Sequence, residues 1–485
     1  MVAAVTLRER RFREPRLAVE TRVARLSARH HESPAMNNMP SGYLPRLFAY
    51  VLEPLSAFFR NTTSGGLILL AATATAMLLT SLFGEHAVHA FWQQPLSFSL
   101  GESMSFGMSL HQWINDGLMV AFFFLIGLEL KREILVGELA SFRKAILPVM
   151  AALGGVLLPA AIYSAVNHGS EYASGWAIPV ATDIAFAVGI LVLLADRVPR
   201  SLLVFLTALA IADDLFAVLI IGAFYSGPID AQAVAAAGFC LLVLVVLNRG
   251  GMRNRIPYLC VGMLLWLAML KSGIHATLAG VLAAFCIPVR PGMSSEAFEK
   301  TLIKLRTELT DEHLDPSPND PFRNDKIAAL CEHVEIAAKN VQTPLQRLEH
   351  QLSPWVSFLI LPLFAFANAG IDLRAISWSA VFASGATIGI VCALVIGKFA
   401  GISLFAWLAV RMKLGRLPEG VTWAQVTGVA WFGGIGFTMS LFISQLAFQD
   451  AALVEQSKVG IVLASALSAA IGIVWMLKQG EGDAR

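Results

Sequence analysis

The feature that most limits what this chain can fold into is a series of apolar runs, each about as long as a bilayer is thick. A helix needs roughly 20 mostly apolar residues to cross the hydrocarbon core. Twelve segments meet or approach that length: 64–84, 112–130, 145–166, 176–195, 201–225, 231–248, 256–270, 274–289, 355–371, 378–409, 421–449 and 457–477. The seventh and eighth are short and lie a few residues apart around Lys271. Of 485 residues, 14% are charged and mean hydropathy is +0.66, where globular domains carry about 25% charged residues. The pattern predicts an all-α polytopic membrane protein with twelve transmembrane helices.

The connections set an orientation. Ten Arg precede the first span, and Lys131, Arg132, Arg143 and Lys144 follow the second. Arg197 and Arg200 follow the fourth, Arg249, Arg253 and Arg255 the sixth, and Arg411, Lys413 and Arg416 the tenth. The alternate loops hold little beyond Lys271 and Arg374. Basic loops mark the cytoplasmic side, so both termini are expected inside.

Five regions follow: an extension over 1–63, spans one to eight over 64–289, an insertion over 290–354, spans nine to twelve over 355–477, and a tail over 478–485. In the extension, the apolar positions from Leu44 to Phe59 keep helical spacing, which predicts a helix on the membrane surface. Residues 1–35 are Arg-rich and lack the apolar core of a signal peptide. The insertion repeats apolar residues at three-four spacing from Ile327 to Leu352. Thr343–Gln346 has the form of a capping box with Pro at the first helical position, so a cytoplasmic helical insertion is expected. The five cysteines show no CxxC spacing and read as small apolar residues, not as a metal or disulfide set.

Several charged residues fall inside the spans, among them Asp116, Glu129, Asp183, Asp213, Asp214 and Lys398. A charge at the bilayer centre costs about 2.5–3.5 kcal/mol on insertion scales. Asp116 and Glu129 lie near span ends, where water is within reach. The other four would cost on the order of 10 kcal/mol if unpaired. Lys398 can neutralise one of the three acids and leaves two over, an excess that favours a cation site or a proton relay. Asp213 and Asp214 are neighbours, so on a helix they point about 100° apart and face different partners. Close carboxylates resist ionising together. A proton and a cation therefore compete for the same negative charge.

Spans four and eleven carry helix-breaking residues at mid-length. "GWAIPVATDIAFAVG" places Pro179 and Thr182 beside Asp183, and "WFGGIGFTMS" holds Gly433, Gly434 and Gly436. Broken helices free amides and carbonyls that can line a cavity. Spans 3–5 and 10–12 are triplets of opposite orientation, each with its interrupted span in the middle, as in inverted-topology repeats with a midplane site.

The stretches "ATDIAFAVG", "ALAIADDLFAV", "LKSGIHATLAGV", "LILPLFAFANAG", "IGKFAGISLF" and "GGIGFTMSLFI" together resemble the NhaA family of bacterial sodium/proton antiporters, over about residues 64–477 apart from the insertion. The resemblance implies twelve helices, with spans four and eleven unwound and crossing. It implies exchange of cytoplasmic Na+ or Li+ for external H+ across the bacterial inner membrane, electrogenic and pH-regulated, with no cofactor and with a homodimer as precedent. It makes Asp214 the main cation ligand and proton carrier, and Asp213 the acid that pairs with Lys398. Asp183 and Lys398 would offset the half-helix ends at the crossing, and Thr182 would offer an oxygen. "GLELKRE" and "RLEH" resemble the family's pH-responsive surface, which points to Glu129, Lys131, Arg132, Glu133, Glu349 and His350. Two departures bear on that surface: Ser353 stands where a second histidine is usual, and the preceding loop is longer by some forty-odd residues.

Other classes fit less well. An intramembrane aspartyl protease needs its acids in Tyr-Asp and Gly-x-Gly-Asp contexts, which these acids lack. An organic-anion carrier would need the opposite charge excess. A channel needs no competition between acid and ion. No P-loop is present for an ATP-driven pump, and nothing points to a nucleic-acid partner.

Overall fold

The computed structural model describes residues 62–479, apart from 101–103, 195–197, 312–324, 373 and 375–376. The N-terminal extension with its expected surface helix, Arg197 and the tail from 480 lie outside the described residues. Among those described, nine helices are long and apolar enough to cross a membrane, and ten if the bent pair Trp423–Gly433 and Phe437–Ala447 is one span. The helix over 110–135 joins Leu110–Gln112, a wider π turn at Trp113–Leu118, and Met119–Leu135. The segment 274–289 holds only the nine-residue helix Leu278–Cys286. Near the start of 378–409, Ser384 separates the short helix Trp378–Ala383 from the longer run Gly385–Arg411.

Among the described residues, one hairpin departs from an all-α fold. Strands Pro95–Leu100 and Met104–Ser109 pair antiparallel, from Pro95 opposite Ser109 to Leu100 opposite Met104. Serine alternates with Leu, Phe and Met through "PLSFSL" and "MSFGMS", the period of a strand with two unlike faces. Ser109 then caps the next helix in a reciprocal pair with Gln112.

Among the described residues two large apolar cores form, beside a small cluster of Ile371, Val381 and Val459. The larger gathers Leu147, Ile178, Leu209, Ile402, Val429, Phe442 and Ile461, among others, from the helices around both broken segments. The smaller packs Leu244, Tyr258, Leu265, Met269 and Ala284 against Met108 and Leu345. Helix Met119–Leu135 serves both, with Phe123 and Ile126 in the larger and Phe124 and Leu128 in the smaller.

Close backbone contact sets the position of Lys398. Helices Phe142–Val166 and Lys398–Arg411 cross at Gly154 and Gly401, where a Cβ on either glycine would collide with the other's carbonyl oxygen. Small residues let helices approach this way in lipid, where burial of apolar area offers no drive. A wide π turn over Cys392–Gly397 leads directly into Lys398.

In the insertion, helices Ser295–Asp311 and Asp325–Val341 precede Pro344–Trp355. The amides of Gly292 and Met293 donate to the Asn340 carbonyl at 2.7 and 2.9 Å, closing the base of the first two. The Thr343–Gln346 capping box is formed, with Pro344 in the first turn.

Candidate functional site

Each broken segment is held open by the other. Residues 173–180 form a 3₁₀ helix containing Pro179, residues 181–183 leave the helix, and Asp183 caps the start of Ile184–Leu193. On the other segment, Trp423–Gly433 and Phe437–Ala447 meet at 43° across residues 434–436. Breaking a helix frees carbonyls on one side and amides on the other. Here the Asp183 amide donates to the Ile435 carbonyl at 2.7 Å, and Thr182 Oγ1 donates to the Gly433 carbonyl at 2.8 Å. Thr438 gives its amide at 3.1 Å and its hydroxyl at 2.5 Å to Asp183 Oδ2, while Asp183 Oδ1 accepts from the Phe186 amide at 3.1 Å. Ser440 Oγ donates to the Ile178 carbonyl at 2.8 Å.

The glycines are needed for closeness. A Cβ on Gly434 would stand 2.5 Å from Ser468 Oγ and 2.6 Å from the Leu394 carbonyl oxygen. One on Gly436 would press on Ser440 Oγ and reach 3.2 Å from the Ala181 carbonyl oxygen, and one on Gly433 would strike Ile402.

Asp213 and Asp214 lie on the unbroken helix Arg200–Phe224, both at 1% exposure or less. They meet the site differently. Lys398 Nζ lies 2.5 Å from Asp213 Oδ2 and donates to Thr182 Oγ1 at 3.0 Å, with no exposure of its own. Asp213 Oδ1 and both oxygens of Asp214 have no hydrogen-bond partner. The acids whose charges reach Asp214 are Asp213, Asp183 and Glu129, against the single cation Lys398. A buried, unsatisfied carboxylate in such company is strongly disfavoured unless it takes up a positive partner. A buried carboxylate with both oxygens free can take up a proton or a small cation. Among the described residues, no group of three or more His, Cys, Asp or Glu side chains is placed to hold a metal ion. Hard monovalent cations are instead matched to oxygens of mixed type, by extension of the rule for calcium and magnesium.

The second group of candidates divides. Arg132 Nη1 lies 2.9 Å from Glu349 Oε1 and Arg132 Nη2 lies 3.2 Å from Glu133 Oε1, which ties helix Met119–Leu135 to Pro344–Trp355. Glu349 Oε2 and Arg132 Nε remain without partners. Glu129 is half-buried on the same helix, near enough for Glu349, Arg132 and Glu133 to act on its charge. Lys131 goes elsewhere: its ammonium donates to the carbonyls of Phe285 at 2.6 Å and Ile287 at 2.5 Å, at the C-terminal end of Leu278–Cys286. That end carries partial negative charge, which a lysine complements. His350 is exposed.

Some polar residues of this interior were not singled out from the sequence. Thr438 and Ser440 fasten the two breaks together, and Ser465 Oγ accepts from the Phe437 amide at 3.2 Å. Nothing in a Thr or Ser within an apolar run separates such a fastener from one bonded to its own helix, as Thr73 is to Leu69. His111, Asn115, Asn368 and Gln445 form a further cluster joining helix 110–135 to Leu361–Asn368 and Phe437–Ala447. Amides inside spans are a usable signal, because an unsatisfied one is costly in lipid.

Residues 56–476 match the family described as Na+/H+ antiporter 1. The chain is 51% identical over 434 residues to the Na(+)/H(+) antiporter NhaA of Syntrophobacter fumaroxidans, covering 89% of this chain and 92% of that one. It is 50% identical over 435 residues to the protein of the same name from Acidithiobacillus ferrooxidans, covering 89% and 99%. With that of Oleidesulfovibrio alaskensis the identity is 44% over 436 residues, covering 90% and 94%. On this evidence the chain is a multi-pass membrane protein and belongs to the NhaA family of Na+/H+ antiporters.

Proposed function

We propose that this chain exchanges Na+ or Li+ from the cytoplasm for H+ from outside, by alternating access of one central site to the two faces of the inner membrane. The observation that carries the reading is Asp214, a buried carboxylate with no partner beside the Lys398–Asp213 pair. When Asp214 is ionised it recruits a cation, with Asp213 Oδ1 as a second oxygen. When a proton arrives, the charge that held the cation is gone and the ion leaves. Asp183 and Thr182 hold the break geometry, and Lys398 keeps Asp213 from competing as a second independent acid.

The same reading makes the fold a twelve-span bundle with spans 3–5 and 10–12 as inverted repeats, both termini and the 290–354 insertion inside, and a homodimer as the assembled form. No cofactor is required. Exchange is electrogenic, with more protons than sodium ions per cycle. Glu129, Arg132, Glu133 and Glu349, with His350 nearby, set its pH response.

The test is reconstitution into proteoliposomes with an acidic lumen. Addition of Na+ or Li+ outside, but not K+, dissipates the pH difference in a saturable way. Parent-like exchange by Asp214→Asn protein would sink the proposed site, and proton leak without added cation would favour a channel.

A further inference from the structure

Four consecutive carbonyls at the end of one short helix are each taken by a donor from another element. Helix Leu278–Cys286 runs out into Ile287 and Pro288. The Lys131 ammonium donates to the Phe285 carbonyl at 2.6 Å and to the Ile287 carbonyl at 2.5 Å. Between them, Asn248 Nδ2 on helix Ala231–Arg249 donates to the Cys286 carbonyl at 2.7 Å. The Leu345 amide, in the first turn of Pro344–Trp355, donates to the Pro288 carbonyl at 3.3 Å. The last carbonyls of a helix have no partner within it, so this strip is where neighbouring elements can attach. Three of them do.

Two of the three are joined a second time. Arg132 follows Lys131 directly and lies 2.9 Å from Glu349, and Glu349 stands one turn beyond Leu345. Leu128, Leu345 and Leu348 belong to one apolar core. The strip 285–288 is thus a spacer between Lys131 and Leu345, and the Arg132–Glu349 contact is set off from its two ends.

Helix periodicity shows how the spacer acts. Val120, Phe124, Gly127 and Lys131 follow one another at four, three and four residues, which is one face of a helix. That face lies against Leu278–Cys286. A Cβ on Gly280 would strike the Val120 carbonyl oxygen and stand 2.9 Å from the Phe124 nitrogen, and one on Gly127 would come within 2.7 Å of Ala284 Cβ. Glu129, Arg132 and Glu133 sit about 100–200° around the helix from Lys131. The apolar contacts along the clamped face are non-directional, whereas the ammonium–carbonyl bonds that end it have a preferred geometry. Lys131 therefore fixes the angle at which the charged face is presented.

Charged groups meet the Arg132–Glu349 pair from each side. Glu129 and Glu133 come from the same helix and His350 from Pro344–Trp355. The Glu138 amide donates to Glu133 Oε2 at 3.0 Å, while its carboxylate holds Lys144 at 3.3 Å. Asp214 on Arg200–Phe224 is near enough to act on Glu129. Cys286 is the titratable neighbour of Lys131 itself.

We propose that Lys131 is a positioning residue for the pH response: by holding the last turn of its helix to the 285–288 strip, it sets the distance and angle at which Arg132 meets Glu349. The inference rests on the reading that the Arg132–Glu349 cluster governs pH dependence. It gives Lys131 a part in that response without any titration of its own.

The test is exchange rate against pH in proteoliposomes of the full chain, for parent and variants. A guanidinium close by favours a carboxylate over its acid, so a loosened pair should move the midpoint of the profile upward. The shift in Lys131→Met should be about half a unit, half of that expected from losing the Arg132 charge outright. The Na+ KM and the maximal rate should keep their parent values, since the Lys131 ammonium is spent on carbonyls away from Asp213 and Asp214. Lys131→Arg, which can still donate to both carbonyls, should keep the parent midpoint. In the Arg132→Gln background, Lys131→Met should add no further shift, because no pair is left to position. Lys131→Gln, a milder change, answers the same question if the Met variant does not fold. If Arg132→Gln shifts the midpoint while neither Lys131→Met nor Lys131→Gln does, or if the two substitutions add, the proposal is overturned. An unchanged midpoint in Arg132→Gln itself overturns the pH reading of that cluster, and this inference with it.

Discussion

Removing the Lys398 ammonium probes the site at its most buried point. In Lys398→Met the Asp213 carboxylate loses a partner 2.5 Å away and keeps its full burial. With an effective dielectric of about 20, charges at that distance attract by about 332/(20 × 2.5), or roughly 7 kcal/mol, before desolvation is subtracted. Breaking a buried pair by removing one member usually costs about 3–5 kcal/mol. The orphaned acid has an escape, because it can take a proton. Protonating a carboxyl of reference value 3.9 at pH 7 costs about 4 kcal/mol, and at pH 5 about 1.5 kcal/mol. The loss is thus capped, and the cap falls with pH. The assay is the thermal midpoint of purified protein in detergent, followed by fluorescence-detected size exclusion. Lys398→Met should be well below the parent at pH 7 and much closer at pH 5. Asp213→Asn/Lys398→Met, which has no orphan, should regain most of the pH 7 loss. Additive losses in the double variant, or a gap independent of pH, would refute the claim that the pair acts as a unit.

The other substitutions separate binding from scaffolding. Asp214→Asn should leave the thermal midpoint at or above the parent's, since neither oxygen has a partner to lose, while exchange in proteoliposomes falls by about a hundredfold, the scale of losing the one charge that distinguishes ion from proton. Gly434→Ala places a methyl carbon 2.6 Å from the Leu394 carbonyl oxygen, so that variant should lose about 1–3 kcal/mol of stability by overpacking, with turnover reduced more than Na+ affinity. Arg132→Gln removes the cation between Glu349 and Glu133. It should shift the pH midpoint of exchange by about one unit, read as rate against pH on the Arg132 face.

The elements of the site were legible to different depths. Asp183, Asp213, Asp214 and Lys398 stood out because charge inside an apolar run is costly wherever it lies. Gly433, Gly434, Gly436 and Pro179 stood out because they weaken helices irrespective of their neighbours. What each residue touches is another matter. The bonds between Asp183 and Thr438 and between Thr182 and Gly433 join positions more than 250 residues apart, so no local pattern encodes them. Lys131 sat in a basic motif and read as part of a charged surface, yet its long side chain reaches the carbonyls of a neighbouring helix end. The hairpin over 95–109 was missed because two six-residue alternations are faint beside the long apolar runs that flank them.

The crossing of Gly154 and Gly401 has a mechanical meaning. Two backbones in direct contact leave no side chain between them to swing aside, so the helices that share this joint travel together. Lys398 begins one of them and is in effect bolted to the other. Its charge is then fixed in position relative to both helices.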